Sequence, residues 1–531
     1  MRFILVLAAL MMPAVAAAIA VVALPGSSSE RGPILVRTEV VDRNGVVLAS
    51  TTSAPSLFAN PRHVDNAQKT AARLAQLIPG SNEATLRAKL ASRAQFVWIA
   101  RWVPEGVSRA VADAHLTGVG IRREMVRQYP LGRVTAHVVG YTALDSGLGM
   151  AGVESFLDRA PAEKPGPLRL TIDSRVQRAV WEELRAAVKA QHAAGAVGLV
   201  LDARTAEVLA SVSLPDFDPN DHSTLVSAAI RNRVISGVYE MGSVFGMFAT
   251  ALALEHRRIT TESMIDVTHP LRLANHTTLQ DERPSSHPLS VADVFARSSV
   301  VGAARIAQLS EPADMEGFLR KLSLMDTVSV ETGDAAAHPL YTSLAWQDLW
   351  RTTVGYGYGL AVTPLQAAAA AAALVNGGTL LGPTLLLRDA ADTRTSSRVI
   401  SARTSADLRK LWRNTVLHGT GLKADVPVYS VGGKAGDSAQ FVAGHYSDDR
   451  WFSWFVGAFP MDVATPRYAL LVMLDLTRAG KGTGPAGNPD VQWIAAPVAG
   501  QIVRKIGPLL GVATTHLRRP RLESEDDRSP F

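Results

Sequence analysis

Tyr239-Glu240-Met241-Gly242-Ser243-Val244-Phe245-Gly246-Met247-Phe248 sets a glycine turn directly before a serine and an apolar run. The spacing of Phe245, Phe248 and Leu252 predicts a helix with one buried face, ended by the charged cluster Glu255-His256-Arg257-Arg258. A serine at a helix start has its hydroxyl beside unpaired backbone N–H groups. That suits a plain N-cap, and it equally suits a nucleophile whose substrate develops an oxyanion. Position alone favours the cap, so the rest of the chain has to decide.

The chain has 531 residues, 47% hydrophobic and 19% charged, enough for two or three domains with a large core. A formal net charge of +6 comes from arginines spread along the chain without a dense basic block, and gives little support to nucleic-acid binding. No cysteine occurs, which excludes disulfides, thiolate metal sites and a cysteine nucleophile. After Arg2, residues 3 to 25 form one apolar run, and about 20 such residues span a bilayer. Small residues within it also fit a cleaved signal, but the run continues past them, which favours a single-pass anchor with the body outside the cytoplasmic membrane. An exported chain without disulfides suits a bacterial envelope.

Four segments follow from composition and breaks: an anchor or uncleaved signal over 1–25, a first exported region over 26–167, a large region over 168–512, and a polar tail over 513–531 for which disorder is expected. In the first exported region, Val40 to Leu48 reads as two short strands around Asn44-Gly45, with helices near 68–77 and 85–93. His137 stands without a second ligand at metal spacing and reads as a packed or capping histidine. In the large region, strands at 196–201 and 208–212 precede a helical middle, and strands return at 451–458 and 468–474. Strands, then helices, then strands predict an α+β fold, a sheet flanked by helices. The alanine run at 366–374 reads as a buried helix. No glycine-rich phosphate loop occurs in a strand-to-helix setting, and no cofactor or metal is expected.

Taken together, these segments resemble the class B penicillin-binding proteins, membrane-anchored serine transpeptidases that cross-link peptidoglycan. Asp42-Arg43-Asn44-Gly45 is similar to the opening of that family's pedestal domain, although Thr38 stands where the family has a glycine. Arg127, Tyr129-Pro130, His137, Gly152 and Glu154 resemble its close. Leu170-Thr171-Ile172-Asp173, Gln177, Gly357-Tyr358-Gly359, Val362-Thr363-Pro364-Leu365-Gln366, Asn376-Gly377-Gly378 and Gly419-Thr420-Gly421 are similar to successive parts of its transpeptidase domain. The resemblance implies a transpeptidase fold of the serine β-lactamase type behind an elongated pedestal. It also implies peptidoglycan stem peptides or β-lactams as ligands, and envelope-synthesis or division membrane proteins as partners.

The family's chemistry rests on S-x-x-K, S-x-N and K-T-G. Here the first reads Ser243-Val244-Phe245-Gly246, the second Ser298-Ser299-Val300 and the third Lys434-Ala435-Gly436-Asp437. Ser243 holds the nucleophile position, and Ser298, Lys434 and Gly436 are retained. Gly246, Val300 and Ala435 are the departures. A lysine at i+3 lies one helical turn on and reaches the hydroxyl as its base; glycine offers nothing there. Val300 replaces an amide that would position substrate, and Ala435 a hydroxyl that would hold its carboxylate. The expectation is therefore a catalytically impaired scaffold or regulator of wall synthesis, with Ser243 a helix cap and Lys434 solvated or ion-paired. The alternative is a slow transpeptidase in which Lys434 serves Ser243 through Ser298.

Overall fold

A computed structural model describes residues 37–514 apart from 161–165, 333, 335, 342–346, 388–395, 443, 464 and 478–492. The expected anchor and nearly all of the expected tail lie outside the described residues. Among those described, no helix is long and apolar enough to cross a membrane.

The first region is built on a twisted sheet of β1 (Val40–Val41), β2 (Val47–Ala59), β3 (Val97–Ala100), β4 (Val119–Gln128) and β5 (Leu168–Arg169). The hairpin at Asn44-Gly45 forms as expected: Asp42 Oδ1 accepts the N–H groups of Asn44 and Val46 at 2.7 and 2.8 Å, and β1 pairs antiparallel with β2. Helices α1 (Ala67–Leu77) and α2 (Glu83–Leu90) begin at Asn66 and Asn82, whose side chains cap them, and bury Leu74, Leu86 and Leu90 in a small core of their own. Glu154 is fully buried between Arg127 (2.6 Å) and Arg37 (2.8 Å). His137 is also buried, with Nε2 2.7 Å from the Ala229 carbonyl oxygen. Strand β5 lies just after the expected boundary at 167, yet joins this sheet by pairing in parallel with β1.

The larger region is a five-stranded antiparallel sheet between two helical layers. After α3 (Ser174–Gln191) come β6 (Gly195–Asp202) and β7 (Val208–Leu214). The helical middle contains α4 (Gly246–Glu255), α5 (Val291–Arg297), α6 (Val300–Ala307), α7 (Gln347–Gly355), α8 (Pro364–Val375) and α9 (Ala402–His418). Strands β8 (Gly432–Val442), β9 (His445–Phe459) and β10 (Tyr468–Thr477) precede the closing α10 (Ala495–Leu509). The order across the sheet is β8-β9-β10-β6-β7, so β8 forms an edge.

Strand alternation divides the core in two. Val197, Leu199, Trp454, Val456, Leu471 and Met473 pack with the helical middle. Ala196, Val200, Phe455, Leu470 and Val472 face α3 and α10 on the other side. Every residue of α8 is buried, as the alanine run predicts, and a capping box between Thr363 and Gln366 fixes its start. Every residue from Gly246 to Leu254 is buried too, so α4 is enclosed on all sides.

Candidate active site

The serine turn is wedged between β8 and a glycine loop. Gly242 has φ +55, and a β-carbon there would run into the Asp437 carbonyl, so only glycine fits. Its N–H donates to the Gly357 carbonyl at 3.1 Å. Ser243 follows in a short 3-10 turn, Gly242–Phe245, which leads into α4. Across from it, a β-carbon on Gly436 would lie 2.5 Å from Ser243 Oγ and 3.0 Å from the Val244 nitrogen. Gly436 is therefore needed for strand and serine to approach this closely.

Two expectations are corrected here. Ser243 is not a helix cap, because the turn has no side-chain cap and the residue at its head is Met241. The Ser243 hydroxyl instead accepts a hydrogen bond from Ser298 Oγ at 3.1 Å. Nor is Lys434 solvated or ion-paired. It is 3% exposed, and its Nζ donates to the Phe295 carbonyl at 2.9 Å and to Ser298 Oγ, 5.0 Å from the centre of the Phe295 ring. Burial with only neutral partners pushes the Lys434 ammonium down to about 7.

Ser298 joins the two because it ends α5 in the left-handed region, at φ +59, with its N–H bonded to the Val294 carbonyl. Ser299 then caps α6, its Oγ accepting the Gly302 N–H at 2.9 Å and donating to Asp281 at 2.5 Å. Asp281 also accepts the Val301 N–H at 3.0 Å, a support the motif did not disclose. The retained Ser243, Ser298, Lys434 and Gly436 thus come together in one place.

The departures lie differently. Val300 is half-buried as the first residue of α6. A β-carbon on Gly246 would lie 3.0 Å from the Gly355 carbonyl oxygen and 3.8 Å from Ala303 Cβ, so α6 and α7 crowd the place where a lysine stem would start. Ala435 is a further correction. It does not look into the cleft with Lys434, being fully buried with Phe455 and Val431 on the opposite face of β8, as the strand's period of two requires. Thr420, from the matching Gly-Thr-Gly, donates to the Ala435 carbonyl at 3.1 Å.

Sequence reasoning also passed over Glu240, although it lies in the opening stretch. Its carboxylate accepts the Gly359 N–H at 2.6 Å, and burial raises its pKa above the ordinary value.

Comparison with known proteins agrees with this fold. The penicillin binding protein transpeptidase domain matches residues 196–499, and the penicillin-binding protein dimerisation domain residues 35–152. The chain is 34% identical over 503 residues to a probable peptidoglycan D,D-transpeptidase FtsI of Caulobacter vibrioides, covering 92% of this chain and 83% of that one. Among solved structures, penicillin binding protein 3 of Mycobacterium tuberculosis with aztreonam superposes with a TM-score of 0.70 at 25% identity, covering 91% of this chain and 98% of that one. The transpeptidase domain of penicillin-binding protein 3 from Burkholderia pseudomallei gives a TM-score of 0.57 at 30% identity, covering 65% and 97%.

Proposed function

The chain belongs to the class B penicillin-binding proteins, and on that premise we propose that it is a slow, impaired peptidoglycan D,D-transpeptidase in which Lys434 replaces the missing base by way of Ser298. The supporting observation is the hydrogen-bonded line from Lys434 Nζ through Ser298 Oγ to Ser243 Oγ. A lysine with a pKa of about 7 is largely neutral just above neutrality and can accept a proton. Both hydroxyls then reverse. Ser243 donates to Ser298, Ser298 donates to the neutral amine, and Ser243 Oγ attacks the peptide carbonyl next to the terminal D-alanine. The ammonium protonates Ser298 Oγ as Ser298 gives its own proton directly to the departing amine, leaving an acyl group on Ser243 for an acceptor amine to remove.

The relay needs two proton transfers where a lysine at 246 would need one, so acylation is slow. General-base catalysis is worth about 10²- to 10⁴-fold, and an indirect base recovers part of that. Intact-mass measurement with excess β-lactam tests the reading. One adduct should form over hours and vanish in Ser243→Ala; no adduct in the unaltered protein sinks it.

The crowding at Gly246 favours a second reading, an inert scaffold that serves wall synthesis or division through its first exported region. Under either reading, an anchor over residues 3–24 would hold the body outside the bacterial cytoplasmic membrane, beside partner membrane proteins. Anchoring is tested by extraction, which should need detergent for the full chain and not for a chain starting at residue 26.

A further inference from the structure

The outward face of α9 carries charge that acyl transfer leaves unused. Arg409, Lys410, Arg413, Asn414 and Leu417 fall on one side of the helix and, with Met461, line an open groove of about 450 Å³. Gly432, the first residue of β8, shapes its floor. A β-carbon there would lie 2.8 Å from Met461 Cε and 3.2 Å from the Arg413 nitrogen, so glycine lets the methionine close against the helix. The opposite face of α9 buries Leu408, Leu411 and Trp412 in the core.

The three cations of the groove are held differently. Lys410 Nζ lies 3.1 Å from Asp407, and Arg413 Nη1 donates to Asp425 at 2.8 Å and to the Val431 carbonyl at 2.7 Å. Arg409 Nη1 has only neutral acceptors, the Val375 carbonyl and Ser405 Oγ, both at 3.2 Å. Among the described residues, no carboxylate pairs with Arg409, and burial moves its guanidinium below the ordinary value. A guanidinium drawn out of water without an anion bears a desolvation cost that a bound anion would offset. Arg409 and Arg413 stand one turn apart, as do Lys410 and Asn414, and pairs at that spacing have β-carbons about 5–6 Å apart. Donors thus reach the groove from several directions. A carboxylate accepts in one plane, whereas a phosphate offers oxygens on all sides to two guanidinium forks and an ammonium. Leu417, which is 40% exposed, and Met461 give the groove an apolar end that the organic part of a phosphate ester would cover.

We propose that the α9 groove is a binding site for a phosphate group, centred on Arg409 and flanked by Lys410 and Arg413. The site stands whether or not Ser243 is acylated. The same chemistry fits a free phosphate and the phosphodiester head of a lipid, and two probes separate these sources. Inorganic phosphate and glycerophosphoglycerol, the soluble headgroup of an anionic phospholipid, are each titrated against the full chain in non-ionic detergent and followed by phosphorus NMR line broadening. Both should broaden, and acetate at equal concentration should displace neither. Tighter binding of glycerophosphoglycerol supports the site as one for a lipid headgroup; tighter binding of inorganic phosphate supports it as one for the free anion. Arg409→Gln should weaken the better probe about tenfold or more. Because Arg409 also ties α9 to the end of α8, a second variant is needed. Lys410→Glu alters a side chain that is 74% exposed, so it should abolish the broadening while leaving the melting temperature unchanged. No broadening in the unaltered chain overturns the proposal. Equal competition by acetate does so too, as does broadening that survives both substitutions.

Discussion

Ser243 has two neighbourhoods, and they have met different fates. On the strand side, Lys434, Ser298 and Gly436 keep a buried, hydrogen-bonded route to the hydroxyl. On the helix side, Gly246 sits under the Gly355 carbonyl and Ala303, and no base is present. Each of the three motifs has lost one letter. The helix side has lost its chemistry, whereas the strand side lost a letter that points into the back of the sheet. What a substitution does to a site depends on which way its side chain faces.

The strongest way to break this contrast is Lys434→Met, which keeps much of the side chain's volume and removes its amine. Under the relay, β-lactam acylation of Ser243 should fall by about 10²-fold or more, and Ser298→Ala should cost a similar factor because it cuts the same line. The lost partner of the Phe295 carbonyl adds an instability of about 1–3 kcal/mol. Acylation unchanged in both variants would mean that the strand side is only a scaffold.

The pH dependence is a second test. Acylation should rise through about pH 7 and level off above it, since the neutral Lys434 is the competent form. Stability should move the same way. The folded pKa is depressed from 10.5 to about 7, so between those values the unfolded chain binds more protons and stability rises with pH. Below about 7 the buried ammonium exerts its full penalty. Urea midpoints at pH 6 and pH 9.5, compared with those of Lys434→Met, isolate this term; a midpoint difference that does not change with pH contradicts it.

The helix side gives a smaller effect of opposite kind. Gly246→Lys restores the missing letter, but its stem must enter against the Gly355 carbonyl, with Ala303 and Ala307 already packed around Gly355. Overpacking of this sort costs about 1–3 kcal/mol, so the variant should melt earlier without labelling faster. Gly246→Ala should come out near neutral, a helix-propensity gain of about 1 kcal/mol set against one tight contact. Faster labelling of Gly246→Lys would show that α6 and α7 yield, and that the two sides of Ser243 are equivalent after all.

Much of this fold was legible because its signals are local. Asn44-Gly45 specifies a hairpin, Thr363-Pro364 with Gln366 a helix start, and the β-rich segments near the end the central strands. The retained site residues were legible as motif letters. Their physical state was not, because it depends on partners distant in sequence. Ser243 looked like a cap until Ser298 was seen to supply its hydrogen bond from 55 residues away. Lys434 looked solvated because nothing in its neighbourhood along the chain announces that Phe295 covers it. Ala435 looked like a cleft residue because a motif written as letters hides the alternation of the strand. Glu240 and its rings were missed for the same reason, since Tyr358 reaches it from a loop and Tyr446 from β9, both far along the chain.

Asp437 offers the finest test, because it shares the strand with Lys434 and faces away from it. Burial pushes its carboxyl up to about 6, although Ser453 and the Trp493 N–H act the other way. Its folded pKa therefore lies above the unfolded 3.8. The native state binds more protons between about pH 4 and pH 6, and stability falls as pH rises through that window. At neutral pH the charge is a standing cost, and Asp437→Asn should stabilise by about 1–2 kcal/mol, a gain that disappears below about pH 4. Labelling of Ser243 should stay the same, since the side chain lies behind the strand. If Asp437→Asn alters labelling as much as stability, the two faces of β8 are coupled, and the reading of Ala435 as a substitution behind the sheet falls with it.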